Sequence, residues 1–240
     1  MKNYRIAVIG LFIFVFLFCI TKIAEPDIWW WMKTGEYIWT HLKIPTANLF
    51  AYTVESKPWV VQGWLATVFF YLVHSLTGPN GLTFLKTLLI ILTVALLLRL
   101  MLKKKISLPL TILILVFTVL VARHRFIPRP LIFKYPLTVL FIYILNEYFQ
   151  FGRNRLFLLP ILMLVWVNLH GTFFIGYILI GVFIVGEFIK NWAGPQRTIN
   201  VKIPLLLVIL SFCILVSLIN PYGLGLHKWM LKLFTRTTLL

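Results

Sequence analysis

Apolar residues fill this chain in long unbroken runs, and polar residues gather in the gaps between them. A helix needs about 20 apolar residues to cross the hydrocarbon of a bilayer. Spans are predicted at about 6–24, at Leu82–Leu102, and at about 107–122, 131–149 and 203–219. The run 156–190 would be about 52 Å long as one helix, too long for a single upright span. It is predicted as a hairpin of two shortish helices turning near Asn168-Leu169-His170-Gly171, with Pro160 weakening the first. The expected architecture is therefore all-α, a polytopic bundle of seven transmembrane helices in one domain, 1–240.

Basic residues orient it, because they collect in cytoplasmic loops. Lys2 and Arg5 precede the first span, Arg99 and Lys103-Lys104-Lys105 end the second, and Arg153 and Arg155 follow the fourth. Lys190, Arg197 and Lys202 follow the hairpin. The N-terminus is then cytoplasmic, and 25–81 is one long outer loop. No small-residue cleavage site follows the first apolar run, which is read as a retained span rather than a signal peptide.

Two stretches of that loop have helical character without spanning length. In 27–42 the positions 28, 31, 35, 38 and 42 recur at helical spacing, with Lys33, Glu36, Thr40 and Lys43 on another side. Trp64 to Leu76 is apolar but only about 20 Å long as a helix. Both are predicted to lie in the interface. Trp29, Trp30, Trp31 and Trp39 suit an aromatic belt there.

Composition agrees. Of 240 residues 61% are hydrophobic and only 12% charged, which excludes an ordinary soluble domain. The formal net charge of +17 follows from the basic loops and needs no nucleic acid, since anionic headgroups offset it. Cys19 and Cys213 both lie in apolar spans and match no metal motif.

Candidate chemistry sits on the outer face. Glu25 and Asp27 end the first span; Asp27 is either a helix N-cap after Pro26 or a general base near the bilayer boundary. "VARHRFIPRP", 121–130, puts Arg123, His124, Arg125 and Arg129 on the face that basic residues avoid. Either the arginines snorkel to headgroups, or they form a phosphate site suited to the planar guanidinium fork. Asn168 and His170 either cap the hairpin turn or form part of a functional site. No metal-ligand pair at helical spacing, glycine-rich nucleotide loop or serine nucleophile elbow is present. Any divalent cofactor thus lacks a firm motif. A transporter finds little support, because no second copy of the midplane polar motif exists.

In order, the chain carries Asp27-Ile28-Trp29-Trp30, Thr34-Gly35, Ile44-Pro45, Phe50-Ala51-Tyr52-Thr53, Pro58-Trp59 and Trp64-Leu65. Arg129-Pro130, Trp166-Val167-Asn168-Leu169-His170-Gly171 and Asn220-Pro221-Tyr222-Gly223 follow. This set resembles a bacterial group similar to the GT-C superfamily of polyprenyl-phosphate-dependent glycosyltransferases. That superfamily includes the protein O-mannosyltransferases and the lipid A aminoarabinose transferase. The resemblance implies a prokaryotic plasma-membrane protein with Asp27 as catalytic base; Glu25 beside it is read as a helper or metal ligand. A polyprenyl-phosphate-linked sugar would be the donor. Arg123, His124, Arg125 and Arg129 are assigned to its phosphate from charge alone.

Asn168, His170 and Gln62 complete the expected substrate-binding set. Gln62-Gly63 stands where the group has His-Glu, Asn48 where it has Asp, and Trp31 where it has His. Relatives commonly continue through further spans, so 1–240 is expected to match the N-terminal part of a longer architecture. The departures leave an alternative open: an inactive lipid-binding or assembly subunit with a protein partner or a second copy of itself.

Overall fold

A computed structural model describes residues 2–23, 25–50, 58–193 and 202–237. Ala51, Tyr52 and Thr53 of the family-like motif and Arg197 of the last basic loop lie outside these. The described residues are helical with no strand; Ala47 and Pro58 form an isolated bridge. The helices are α1 Lys2–Cys19, α2 Asp27–His41, α3 Trp64–Lys103, α4 Leu108–Ala122, α5 Lys134–Phe151, α6 Leu158–Leu169, α7 Phe174–Ala193, α8 Lys202–Ser217 and α9 Leu224–Thr237.

A helix thus stands at each predicted position. Among the described residues three stretches are long and apolar enough to cross a membrane: Trp64–Lys103, Leu108–Arg125 and Gly171–Ala193. Tyr4–Cys19, Leu158–Leu169 and Lys202–Ser217 are apolar but shorter.

Contacts divide the chain into two compact units: Met1–Leu42 with Leu65–Leu140, and Lys43–Trp64 with Phe141–Leu240. In the first, α1 packs on α4. The buried stripe of α2 is Ile28, Met32, Gly35 and Ile38, with Thr34 beside it. Of the other positions predicted in that stripe, Trp31 is half-buried with its indole nitrogen buried, whereas Leu42 is left-handed at the helix C-cap and exposed. Gly35 lies so close to Thr67 of α3 that an added Cβ would overlap the Thr67 carbonyl.

The predicted helix 64–76 exists, but no loop separates it from the predicted span. α3 is two helices joined at Gly78, whose φ of 67° and ψ of −164° no L-residue readily adopts. Pro79 opens the second helix, where its missing N–H costs nothing.

In the second unit α8 packs against both α6 and α7. Gly176 admits Phe141 and Met163 to within van der Waals contact of the α7 backbone, and Phe141 meets Trp166 edge-on at 5.3 Å. Arg153 folds back so that its backbone N–H bonds the Glu147 carbonyl and its guanidinium lies 3.7 Å from the buried Glu147 carboxylate.

Candidate functional site

The polar residues of the first unit gather around the ends of α1, α2 and α4. Pro26 takes the N-cap position of α2, so Asp27 is the first helical residue and not the cap. A carboxylate in the first turn still meets the positive end of the helix dipole. The α4 helix ends in one tight turn, Arg123–Arg125. Arg129 follows in extended backbone ahead of Pro130, as a residue before proline should be.

Arg129, assigned by charge to a phosphate, is committed elsewhere. One terminal nitrogen donates to Asp27 Oδ2 at 2.9 Å and to Glu25 Oε1. The three expected site residues therefore form one cluster, in which Arg129 serves the carboxylates. The Glu25 side chain is only 12% exposed while that of Asp27 is 57% exposed. The hydrogen bond from Arg129 engages Oδ2 and leaves Asp27 Oδ1 outside it.

The other cations of that segment line a separate cavity of about 500 Å³. Lys22, Lys86, Arg123 and His124 supply its polar wall with Thr21, and Leu120, Phe126 and Ile127 supply apolar wall. No acid lines it. Lys86 is 2% exposed, and its ammonium donates to Thr21 Oγ1 at 2.8 Å. The Arg123 guanidinium stacks 4.5 Å over the Phe18 ring. Pro128, which also lines the cavity, directly precedes Arg129 in the chain; the Arg129, Glu25 and Asp27 side chains are not in the lining. Arg125 is not in the lining; its Nε donates to His124 Nε2 at 3.2 Å.

Lys86 escaped the sequence reading because it was absorbed into the apolar run 82–102. An ionisable residue inside a span was the available signal.

The remaining candidates belong to the second unit, where they hold the chain together. The Trp64 indole donates to Asn168 Oδ1 at 2.7 Å, and the Asn168 amide donates to Leu164 and Ile219 carbonyls at 2.9 and 3.0 Å. His170 Nδ1 accepts from the Thr172 N–H at 3.1 Å and so caps the predicted turn. Gln62 Oε1 and the Met230 thioether press on Gly171. The Tyr222 hydroxyl accepts from the Val61 N–H at 2.9 Å. Burial pushes that hydroxyl's pKa up, and the hydrogen bond pulls part of the way back. Tyr177, Ser217 and His227 form a further hydroxyl–hydroxyl–imidazole chain at 2.5 and 3.0 Å.

Among the described residues no three His, Cys, Asp or Glu side chains come together to hold a metal. Glu25 and Asp27 share a guanidinium instead, a donor set that does not fit a cation. No family model, curated protein or solved structure matches the chain.

Proposed function

We propose that the chain is a GT-C-like membrane glycosyltransferase with seven spans, moving a sugar from a polyprenyl phosphate to an acceptor at the outer face of a prokaryotic plasma membrane. The observation that carries this reading is the acid-free cationic cavity at the end of α4, whose wall residue Pro128 is followed in the chain by the Arg129 that pairs with Glu25 and Asp27. A phosphate ester suits Lys22, Lys86, Arg123 and His124, since each offers a donor and most carry full charge.

In the reaction an acceptor hydroxyl or amine attacks the anomeric carbon. The bond to the phosphate oxygen breaks with its electron pair staying on the phosphate. Preorganised cations stabilise the charge that develops there. Asp27 Oδ1 takes the acceptor proton, while Arg129 fixes the carboxylate through Oδ2 and Glu25 holds Arg129 in place.

The test is retention of polyprenyl phosphate by the purified protein in native mass spectrometry. Lys86→Met should lower retention at least about tenfold, the loss of one charge-assisted contact, and Asp27→Asn should leave it intact. No preference for polyprenyl phosphate over ordinary phospholipids at the same concentration refutes the reading.

The other reading, a subunit that binds the lipid without turnover, is favoured by Gln62, whose amide is packed on Gly171. Release of free polyprenyl phosphate from a sugar-loaded donor separates the two. Asp27→Asn abolishes release in an enzyme, and no release occurs from wild type in an inactive subunit.

A further inference from the structure

The opposite end of the first unit holds a second cavity that the transferase reading does not use. It is a groove of about 580 Å³ between the start of α1 and the junction of α3 with α4. Val8, Ile9, Leu102 and Leu108 make its apolar walls, and Tyr4 and Arg5 also line it. From Tyr4 to Ile9 the α1 wall rises about 7.5 Å.

Lys103, Lys104 and Lys105 directly follow the wall residue Leu102. Lysines at a helix C-terminus often serve to bond its last carbonyls. Here the main chain does that work: the Lys105 N–H bonds the Leu102 carbonyl at 3.0 Å and the Ile106 N–H bonds that of Met101 at 3.2 Å. Lys105 sits at φ 61°, the left-handed position that usually goes to glycine. Lys105 is thus held at the helix end against its backbone preference while the main chain bonds the carbonyls of Met101 and Leu102. Among the described residues of the unit no acid is left for it. The unit's acids are Glu25, Asp27 and Glu36, and each is paired with Arg129 or Lys33.

We infer that this groove binds an anionic phospholipid, one acyl chain lying on Val8, Ile9, Leu102 and Leu108 while Arg5, Lys104 and Lys105 hold the phosphate. An apolar slot that Arg5 lines, with Lys104 and Lys105 two and three residues past the wall residue Leu102, has the two-part chemistry of such a lipid. Basic residues near a membrane surface each strengthen attachment to anionic headgroups by about fivefold. The site is distinct from the Lys86 cavity and stands whether or not the chain is a transferase.

The experiment compares retention of phosphatidylglycerol and of phosphatidylcholine with the same chains, by native mass spectrometry of the purified full chain. Phosphatidylglycerol should be preferred. The preference should fall about fivefold for each single change Arg5→Gln, Lys104→Gln or Lys105→Gln. It should survive in the charge-keeping Arg5→Lys. Val8→Trp, which fills the slot but keeps the charges, should also reduce retention. Elution volume on size exclusion confirms that each variant is folded. Equal retention of both lipids, indifference to the charge changes, or indifference to Val8→Trp would each overturn the inference. Lys86→Met should leave phosphatidylglycerol retention unchanged, so this site and the polyprenyl-phosphate site fail separately.

Discussion

Replacing Gly35 with alanine tests how α2 is seated. A methyl at this position would overlap the Thr67 carbonyl oxygen and stand 2.5 Å from its carbon and 3.0 Å from Tyr71 Cβ. Ordinary carbon–oxygen contacts begin near about 3.3 Å, so α2 and α3 must part by about 1 Å. Overpacking a tight contact costs about 1–3 kcal/mol. The upper end applies because the obstacle is backbone. Alanine's helix advantage over glycine returns about 1 kcal/mol. The net loss is about 2 kcal/mol, or a Tm fall of about 4–8 °C for a chain this long.

Gly171→Ala is the comparison. Its neighbours are the tips of Gln62 and Met230, which can rotate away, so it should cost under about 1.5 kcal/mol. Gly181→Ala, with nothing within 4 Å, should cost nothing. Thermal unfolding in detergent, followed by tryptophan fluorescence, gives all three. Asp27 lies eight residues before Gly35, about 12 Å along the helix. A 1 Å shift of α2 carries Asp27 with it, enough to reduce any transferase rate about a hundredfold. A Gly35→Ala protein that melts with wild type, or above the Gly171 variant, would refute the close seating of α2 on α3.

Two further outcomes are expected. Asn168→Ala should lower Tm by about 4–8 °C, since it strands the Trp64 indole and the Ile219 carbonyl at a cost of about 2 kcal/mol. Asn168→Asp should be worse, because it sets an anionic oxygen against two carbonyls; the reverse order would contradict the hydrogen-bond assignment. Arg129→Ala leaves the nearly buried Glu25 without a counter-charge. Arg129 is itself 36% exposed, so the loss should be about 1–2 kcal/mol, below that of a fully buried pair. Adding Glu25→Gln should restore most of it, and a double variant no more stable than the single would show that the pair does not matter.

Periodicity and charge made the helices legible because each helix buries a stripe whose spacing the sequence carries. The turn at Asn168–Gly171 was legible for the same local reason. Residues 77–81, Thr-Gly-Pro-Asn-Gly, read as a loop but are helical apart from Gly78, since proline is welcome in a first turn. α9 was not anticipated; the sequence past 219 was read only for its Asn220-Pro221-Tyr222-Gly223 motif. The pairings were hidden. Arg129 looked like a phosphate ligand because its cationic neighbours were in view and its partners stood 102 and 104 residues away. Lys86 was hidden by its apolar neighbours, and its partner Thr21 is 65 residues distant. Local sequence fixes what a residue can do, whereas packing decides which of its capacities is already taken.

The single-residue joint at Gly78 makes α3 a lever. Nothing lies within 4 Å of where a Cβ would stand, so the two torsions of this residue form the covalent hinge between the rods. Lys86 is about 12 Å along the second rod and Leu102 about 36 Å. A swing of about 20° at the joint would displace Lys86 by about 4 Å and Leu102 by about 13 Å on that geometry. The first displacement takes the ammonium out of reach of Thr21, and the second opens the groove at Leu102. A side chain at 78 that drove φ negative would therefore disturb both proposed anion sites without touching either.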